Sequence, residues 1–125
     1  MPNEIKILIV DDEPDICYFL SLSLSKRGFK TYSSGNLLDA EKEIRANQPE
    51  ILLLDNHLPD GRGVDFVSKI TAQYPDLKII MITAHDSPQD RAKAYNNGSS
   101  FFLSKPFSIS AVNQVVDLVL STTHS

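Results

Sequence analysis

One cysteine in 125 residues, Cys17, rules out an internal disulfide and suits a reducing compartment. No apolar run approaches the roughly 20 residues that a membrane span requires. Met1-Pro2-Asn3-Glu4 leads straight into the first apolar run, so the N-terminus lacks the layout of a signal peptide. Positive charge is scarce: 12 Lys and Arg stand against 16 Asp and Glu, for a net charge of −4. Direct nucleic-acid contact by this chain is therefore not expected, because the electrostatic footprint is missing. There is no Gly-x-Gly-x-x-Gly and no Walker lysine motif, which argues against a dinucleotide- or nucleotide-binding module. Repeats, low-complexity tracts and linkers are absent as well. These absences leave an acidic, cytoplasmic, single-domain protein, residues 1–125, with one sizeable core at 42% hydrophobic and 22% charged residues.

What the chain does contain is an alternation of short apolar runs and helix-like segments. Residues 5–10 are apolar and β-branched, as expected of a strand buried on both faces. Pro14 suits the first turn of a helix, with acidic residues beside it. Ile16, Phe19, Leu20 and Leu24 recur at helical spacing, and Lys26-Arg27-Gly28 predicts a basic last turn and a glycine stop. Phe29 to Ser33 reads as a weaker strand and Leu37 to Ala46 as a helix closed by Asn47-Gln48-Pro49. Residues 50–54 form a third strand. Pro59-Asp60-Gly61-Arg62-Gly63 reads as a loop with Asp60 and Arg62 as solvated turn residues, and a helix follows to about Tyr74. Residues 78–82 are a fourth strand. Ser87-Pro88-Gln89-Asp90 starts a helix that Asn96-Asn97-Gly98 ends. Residues 100–103 are a fifth strand. Ser108 caps a last helix whose Ile109, Val112, Val116 and Val119 form one apolar stripe, with Ser121 to Ser125 expected to fray. Five such alternations predict a parallel sheet with helices on both faces and right-handed crossovers.

Four of these runs end on residues suited to phosphoryl chemistry. The first leads into Asp11-Asp12, the third into Asp55, the fourth into Thr83, and the fifth into Lys105-Pro106. In an open parallel sheet these ends share one edge, where ligands bind. A carboxylate such as Asp55 can attack phosphorus and form an acyl phosphate. Clustered carboxylates repel unless a cation sits among them, and Mg2+ prefers oxygen ligands. Taken singly, each residue has an ordinary structural alternative: a capping aspartate, a strand-end threonine, a surface lysine. The set in order at strand ends is what carries the functional reading.

With Asp11-Asp12, Asp55, the Leu58-Pro59 turn with Gly63, Thr83-Ala84 and Lys105-Pro106 in place, the chain resembles a response-regulator receiver domain of the chemotaxis-regulator type. The resemblance runs from residue 5 to about 120. It implies an α/β, flavodoxin-like, doubly wound five-stranded parallel sheet of order 2-1-3-4-5, forming a single receiver domain over 1–125. It implies a two-component phosphorelay role: Asp55 accepts a phosphoryl group from a sensor histidine kinase or phosphotransfer protein. It also implies Mg2+ held by Asp12 and Asp55 and by the backbone carbonyl of His57, with Asp11 acting mainly through water. Glu13 matches a commonly acidic position and is expected to be a supporting residue at most. Lys105 would reach a phosphoryl oxygen and could pair with Asp55 in its absence; the Lys105-Pro106 bond would be cis. Thr83 would donate its hydroxyl to the phosphoryl group, and Ala84 leaves room for the donor. Thr83 and Phe102 would form the switch, although a plain half-buried strand residue remains an open alternative for Phe102.

By the same resemblance, His57 and His85 lie at rim positions that tune water attack on the acyl phosphate; a histidine metal site is the less supported reading. Cys17 is expected to be a small apolar side chain rather than a reactive thiol. The implied output is a conformational shift of the last helix–strand–helix segment, including Ala92, Ala94, Tyr95, Phe102 and the final helix. That segment would face an output domain or a downstream protein, and a phosphorylation-dependent dimer is one assembly it allows. The chain would then not be an enzyme beyond self-phosphorylation and autodephosphorylation. The alternative is a small Mg2+-dependent aspartyl-phosphate phosphatase. Such enzymes carry a second aspartate two residues after the nucleophile, where this chain has His57, and the chain has no room for their cap domain.

Overall fold

In the computed structural model, which describes residues 4–84, 88–99 and 101–123, five strands form one parallel sheet. They are β1 (Lys6–Val10), β2 (Lys30–Ser34), β3 (Ile51–Asp55), β4 (Lys78–Thr83) and β5 (Phe101–Ser104). Their order across the sheet is β2-β1-β3-β4-β5, the doubly wound flavodoxin-like arrangement. Between them run α1 (Pro14–Ser25), α2 (Leu37–Asn47), α3 (Gly63–Gln73) and α4 (Pro88–Asn97), with α5 (Ile109–Thr123) last.

Successive strand side chains point to opposite faces, and here that alternation builds two separate cores. Leu8, Val10, Leu52, Leu54, Ile79 and Met81 face one side and pack with Ala40 and Ile44 of α2, Val67 and Ile70 of α3, and Ala94 of α4. Ile7, Ile9, Ile51, Leu53, Ile80 and Ile82 face the other and pack with Leu20 and Leu24 of α1 and Val112, Val116 and Val119 of α5. The central β3 is buried along its whole length, which explains why it carries no polar residue before Asp55.

Helix boundaries follow local chemistry. Pro14 opens α1 at a position where its missing N–H costs nothing. Asn36 caps α2: its Oδ1 accepts the Asp39 N–H at 2.8 Å. Ser108 Oγ accepts the Ala111 N–H at 3.1 Å and caps α5. Several expectations shift. β2 is displaced by one residue, to Lys30–Ser34. Lys26 and Arg27 fall beyond the last turn of α1, because the helix ends at Ser25. Arg27 instead crosses to α5, where it bonds Asn113 at 3.1 Å and Asp117 at 2.6 Å. Ile109 is 49% exposed, since it occupies the first position of α5 and lies outside the stripe that Val112 begins. Residues 121–123 continue that helix rather than fraying. The loop after β3 holds a short antiparallel hairpin in which His57 pairs with Arg62 and Leu58 with Gly61. The expected cap Ser87 and the rim residue His85 lie outside the described residues. No helix of the described residues is long and apolar enough to cross a membrane.

Candidate functional site

Strand register places the candidate residues. Val10 of β1 is level with Leu54 of β3, so Asp11 comes level with Asp55. Asp55 is level with Ile82, so Thr83 lies one residue further along β4. Thr83 is level with Ser104, so Lys105 follows immediately on β5. All these ends lie on the edge where the parallel strands stop, and the sheet backbone alone brings the groups together.

The side chains complete a charge cluster. One carboxylate oxygen from each of Asp11, Asp12, Glu13 and Asp55 lies within 4.8 Å of the others. Asp11 and Asp55 are buried, at 1% and 5% exposure, while Asp12 and Glu13 reach solvent. The Lys105 ammonium sits 2.7 Å from Asp11 Oδ2, 3.0 Å from Glu13 Oε1 and 3.5 Å from Asp55 Oδ2. The lysine thus spans the cluster, and Asp11 and Glu13 are its nearer partners. Glu13, expected to be a supporting residue at most, is a direct lysine partner. The Lys105–Pro106 peptide bond is cis. Asp11 Oδ1 accepts the Glu13 N–H at 2.9 Å, and this turn fixes the start of α1.

Electrostatics separate the two buried groups. Burial and the neighbouring Asp11 charge raise the Asp55 carboxyl above its ordinary value; Lys105 and the backbone N–H groups of His57 and Asn56 oppose the shift without cancelling it. Burial alone would lower the Lys105 ammonium, but hydrogen bonds to Asp11 and Glu13 and the charge of Asp55 hold it above the ordinary lysine value. Lys105 therefore stays cationic at neutral pH. Cys17 is half-buried, its thiol donating to the Asp11 carbonyl oxygen at 3.3 Å. Burial and the Asp11 charge push that thiol up, away from the reactive thiolate.

Asp55 is supported from below by α3. The Gly63 N–H donates to the Asn56 carbonyl at 2.9 Å, and the Val64 N–H to Asn56 Oδ1 at 3.0 Å. A Cβ on Gly63 would sit 2.4 Å from the Asp55 carbonyl oxygen, so only glycine allows this approach. Buried Asn56, which sequence reasoning passed over, thus ties the loop after Asp55 to α3; its place one residue after Asp55 was the available signal.

Four hard oxygen donors against one ammonium fit a divalent cation of the Mg2+ type. Among the described residues the imidazole of His57 is exposed and the Cys17 thiol is engaged elsewhere, so the donor set is oxygen only. An open cleft of about 450 Å3, lined in part by Asp11, Asp12, Cys17 and Ser34, leads solvent to the cluster.

On the far side, Thr83 is buried at the end of β4, and its carbonyl accepts the Lys105 N–H at 2.9 Å. Phe102 is half-buried. The Arg91 guanidinium lies 4.7 Å from its ring centroid, and the Tyr95 ring meets it edge-on at 5.2 Å. Tyr95 is exposed, as is Ala92, but Ala94 is fully buried against the first core and cannot belong to an outward face.

Comparison with known proteins agrees with this geometry. Residues 7–117 match the family described as the response regulator receiver domain. The chain is 37% identical over 116 residues to the response regulator protein PilR of Pseudomonas aeruginosa, covering 92% of this chain and 26% of PilR. It is 32% identical over 108 residues to the probable transcriptional regulatory protein TcrX of Mycobacterium tuberculosis, covering 86% of this chain and 46% of that one. The chain thus spans less than half the length of these relatives. Among solved structures, the beryllofluoride-activated NtrC4 receiver domain dimer superposes with a TM-score of 0.89 at 34% identity, covering 94% of this chain and 98% of that one. A CheY-like receiver domain protein from Methanospirillum hungatei JF-1 superposes at 0.94 and 23% identity over 98% of both chains, a likeness of fold. Sequence, fold and site arrive at one family: the chain is a response regulator receiver domain, a module of two-component signal transduction.

Proposed function

We propose that the domain accepts a phosphoryl group on Asp55 from the phosphohistidine of a sensor histidine kinase or phosphotransfer protein. An Asp55 carboxylate oxygen attacks phosphorus, the P–N bond breaks, and the imidazole leaves with its electron pair. Asp12, Asp55 and the His57 carbonyl would hold Mg2+, with Asp11 acting through water. The cation would neutralise negative charge on the transferred group. The Asn56 and His57 N–H groups orient the Asp55 carboxylate. Lys105 is already charged and within 3.5 Å of that carboxylate, placed to meet an equatorial phosphoryl oxygen. Doing so requires it to loosen its bonds to Asp11 and Glu13. Thr83 would donate its hydroxyl to the same group, and with Phe102 would bias the face formed by α4, β5 and α5 toward a second conformation. That face would meet an output domain or a downstream protein. The activated NtrC4 receiver is a dimer, and by likeness we extend a phosphorylation-dependent dimer to this chain. The rim histidines would modulate hydrolysis of the acyl phosphate.

The observation that carries this reading is the buried Asp55 carboxylate inside an oxygen-only acidic cluster bridged by Lys105. The test is incubation with acetyl phosphate and Mg2+, followed by intact mass. One phosphoryl group per chain, absent from Asp55→Asn and lost on EDTA treatment before labelling, is the expected result. Full labelling of Asp55→Asn refutes it. Sustained turnover of many phosphate esters would instead support a phosphatase.

A further inference from the structure

Asp60, expected to be a solvated turn residue, is exposed at its turn, and its carboxylate also bonds the start of α2. Its Oδ1 accepts the Leu37 N–H at 2.8 Å and its Oδ2 accepts the Leu38 N–H at 3.0 Å. These are the first two N–H groups of α2, which have no partner within the helix. Capping of α2 is thereby divided: Asn36 serves the Asp39 N–H, and Asp60, reaching in from a loop 23 residues away, serves the two before it. A carboxylate is the favourable charge for a helix start, and the two N–H bonds, that of Leu37 foremost, hold the Asp60 carboxyl below its ordinary value.

The contact fixes more than a helix end. Asp60 is the tip of the hairpin in which His57 pairs with Arg62 and Leu58 with Gly61. A hairpin this short has little stability of its own. Its base is fastened by Asn56 to Gly63 and Val64. Its tip rests on α2: a Cβ on Gly61 would come 2.9 Å from Leu37 Cδ1, and Leu37 and Leu58 pack on the same core. His57 lies between these two fastenings, and its N–H bonds the Asp55 carboxylate.

We propose that Asp60 is a positioning residue for the divalent cation, anchoring to α2 the hairpin that carries the His57 carbonyl. This rests on the reading of Asp12, Asp55 and that carbonyl as the cation's ligands. With the tip released, the hairpin populates other arrangements, and apparent affinity falls in proportion to the competent fraction. Linkage requires the converse: bound Mg2+ must steady the α2 start.

The experiment is a Mg2+ titration followed by backbone amide NMR shifts, on wild type, Asp60→Ala and Asp60→Asn, with amide exchange at Leu37 and Leu38 measured in parallel. Asp60→Ala should raise the half-saturating Mg2+ concentration severalfold, with about tenfold the ceiling set by losing a strong cap. Asp60→Asn keeps one acceptor and should lie between Ala and wild type. At saturating Mg2+, both variants should take up phosphoryl groups at the wild-type rate. In wild type, Mg2+ should slow exchange at Leu37 and Leu38. A folded Asp60→Ala that is merely less stable, yet titrates at wild-type Mg2+ concentrations, overturns the proposal. So does exchange at Leu37 and Leu38 that ignores Mg2+, a readout that needs only wild type should the alanine variant not fold. A wild type that shows no Mg2+ response at all overturns the reading of the cation site, and this proposal falls with it.

Discussion

Replacing Asp55 by asparagine should make the protein more stable at pH 7 in the absence of divalent cations, although it removes an ion pair. The magnitude follows from the distances. At an effective dielectric near 20, the Lys105 ammonium 3.5 Å away attracts the Asp55 carboxylate by about 4.7 kcal/mol. Buried Asp11, within 4.8 Å, repels it by about 3.5 kcal/mol. Asp12 and Glu13 lie within the same 4.8 Å but face solvent, where each repulsion is screened to about 1 kcal/mol. Attraction and repulsion nearly cancel, and what remains is the cost of burying a carboxylate, on the order of several kcal/mol. The Asn56 and His57 N–H groups offset part of it, and an asparagine oxygen keeps part of that offset. The expected net gain for Asp55→Asn is about 2 kcal/mol, or a Tm rise of about 8 °C.

The pH dependence fixes the sign independently. The folded-state Asp55 carboxyl titrates above its unfolded value, so the native protein takes up its proton first as pH falls. The penalty is present above the raised pKa and is gone below the unfolded value of about 3.9. The stability gap between Asp55→Asn and wild type should close across that window. Urea denaturation of both proteins from pH 7.5 to 4, in EDTA, measures it. A variant less stable than wild type at pH 7, or a gap that does not change with pH, refutes the charge accounting. Adding Mg2+ should narrow the gap from the other side, since a ligand at 100 times its Kd stabilises by about 2.7 kcal/mol and the variant would lack one of the proposed cation ligands.

Lys105→Met leaves Asp11 buried beside Asp55 without a counter-ion and should cost about 3 kcal/mol at pH 7 by urea denaturation. Because the folded Lys105 is held above its unfolded value, its stabilisation is complete below about pH 10.4 and is lost as pH rises through the folded pKa, so the variant should show a flatter alkaline limb. Gly63→Ala forces a methyl group against the Asp55 carbonyl oxygen and should cost about 1–3 kcal/mol while slowing acetyl phosphate labelling, both measured on one preparation. Among the described residues the buried Ser34 Oγ has no hydrogen-bond partner, so Ser34→Ala should leave stability unchanged or raise it by about 1 kcal/mol in the same denaturation assay.

How much was legible in advance depended on how local the deciding physics is. Ile51 to Leu54 reads as a strand because both faces of a central parallel strand are buried and nothing polar is tolerated before the edge. Once strand ends are known, register carries Asp11, Asp55, Thr83 and Lys105 to the same edge. Partner choice within the cluster was not legible. Lys105 comes closer to Asp11 and Glu13 than to Asp55, and that depends on the path of the residues before α1, not on spacing. Asp60 reads as a turn residue because its partners are 22 and 23 positions away and are defined only once α2 starts beside the hairpin. Ile109 fits the helical period of its stripe, yet period alone cannot say that the first residue of α5 lies at the core's margin. The family's strand order came from resemblance, since hydrophobic period ranks strands by burial and not by neighbour.

The missing side chain at Gly63 has a mechanical meaning. With Asp55 and the first turn of α3 in backbone contact, that side of the pocket has no slack, and a charge arriving on the carboxylate cannot be absorbed by letting the loop recede. On the opposite wall Phe102 is kept by aromatic and cationic neighbours on α4, contacts that tolerate sliding and rotation far better than a filled gap does. If Asp55 takes the proposed phosphoryl group, displacement provoked there would be channelled away from α3 and toward the wall that carries α4 and β5, much as a fixed jaw makes a vice transmit all its travel to the other.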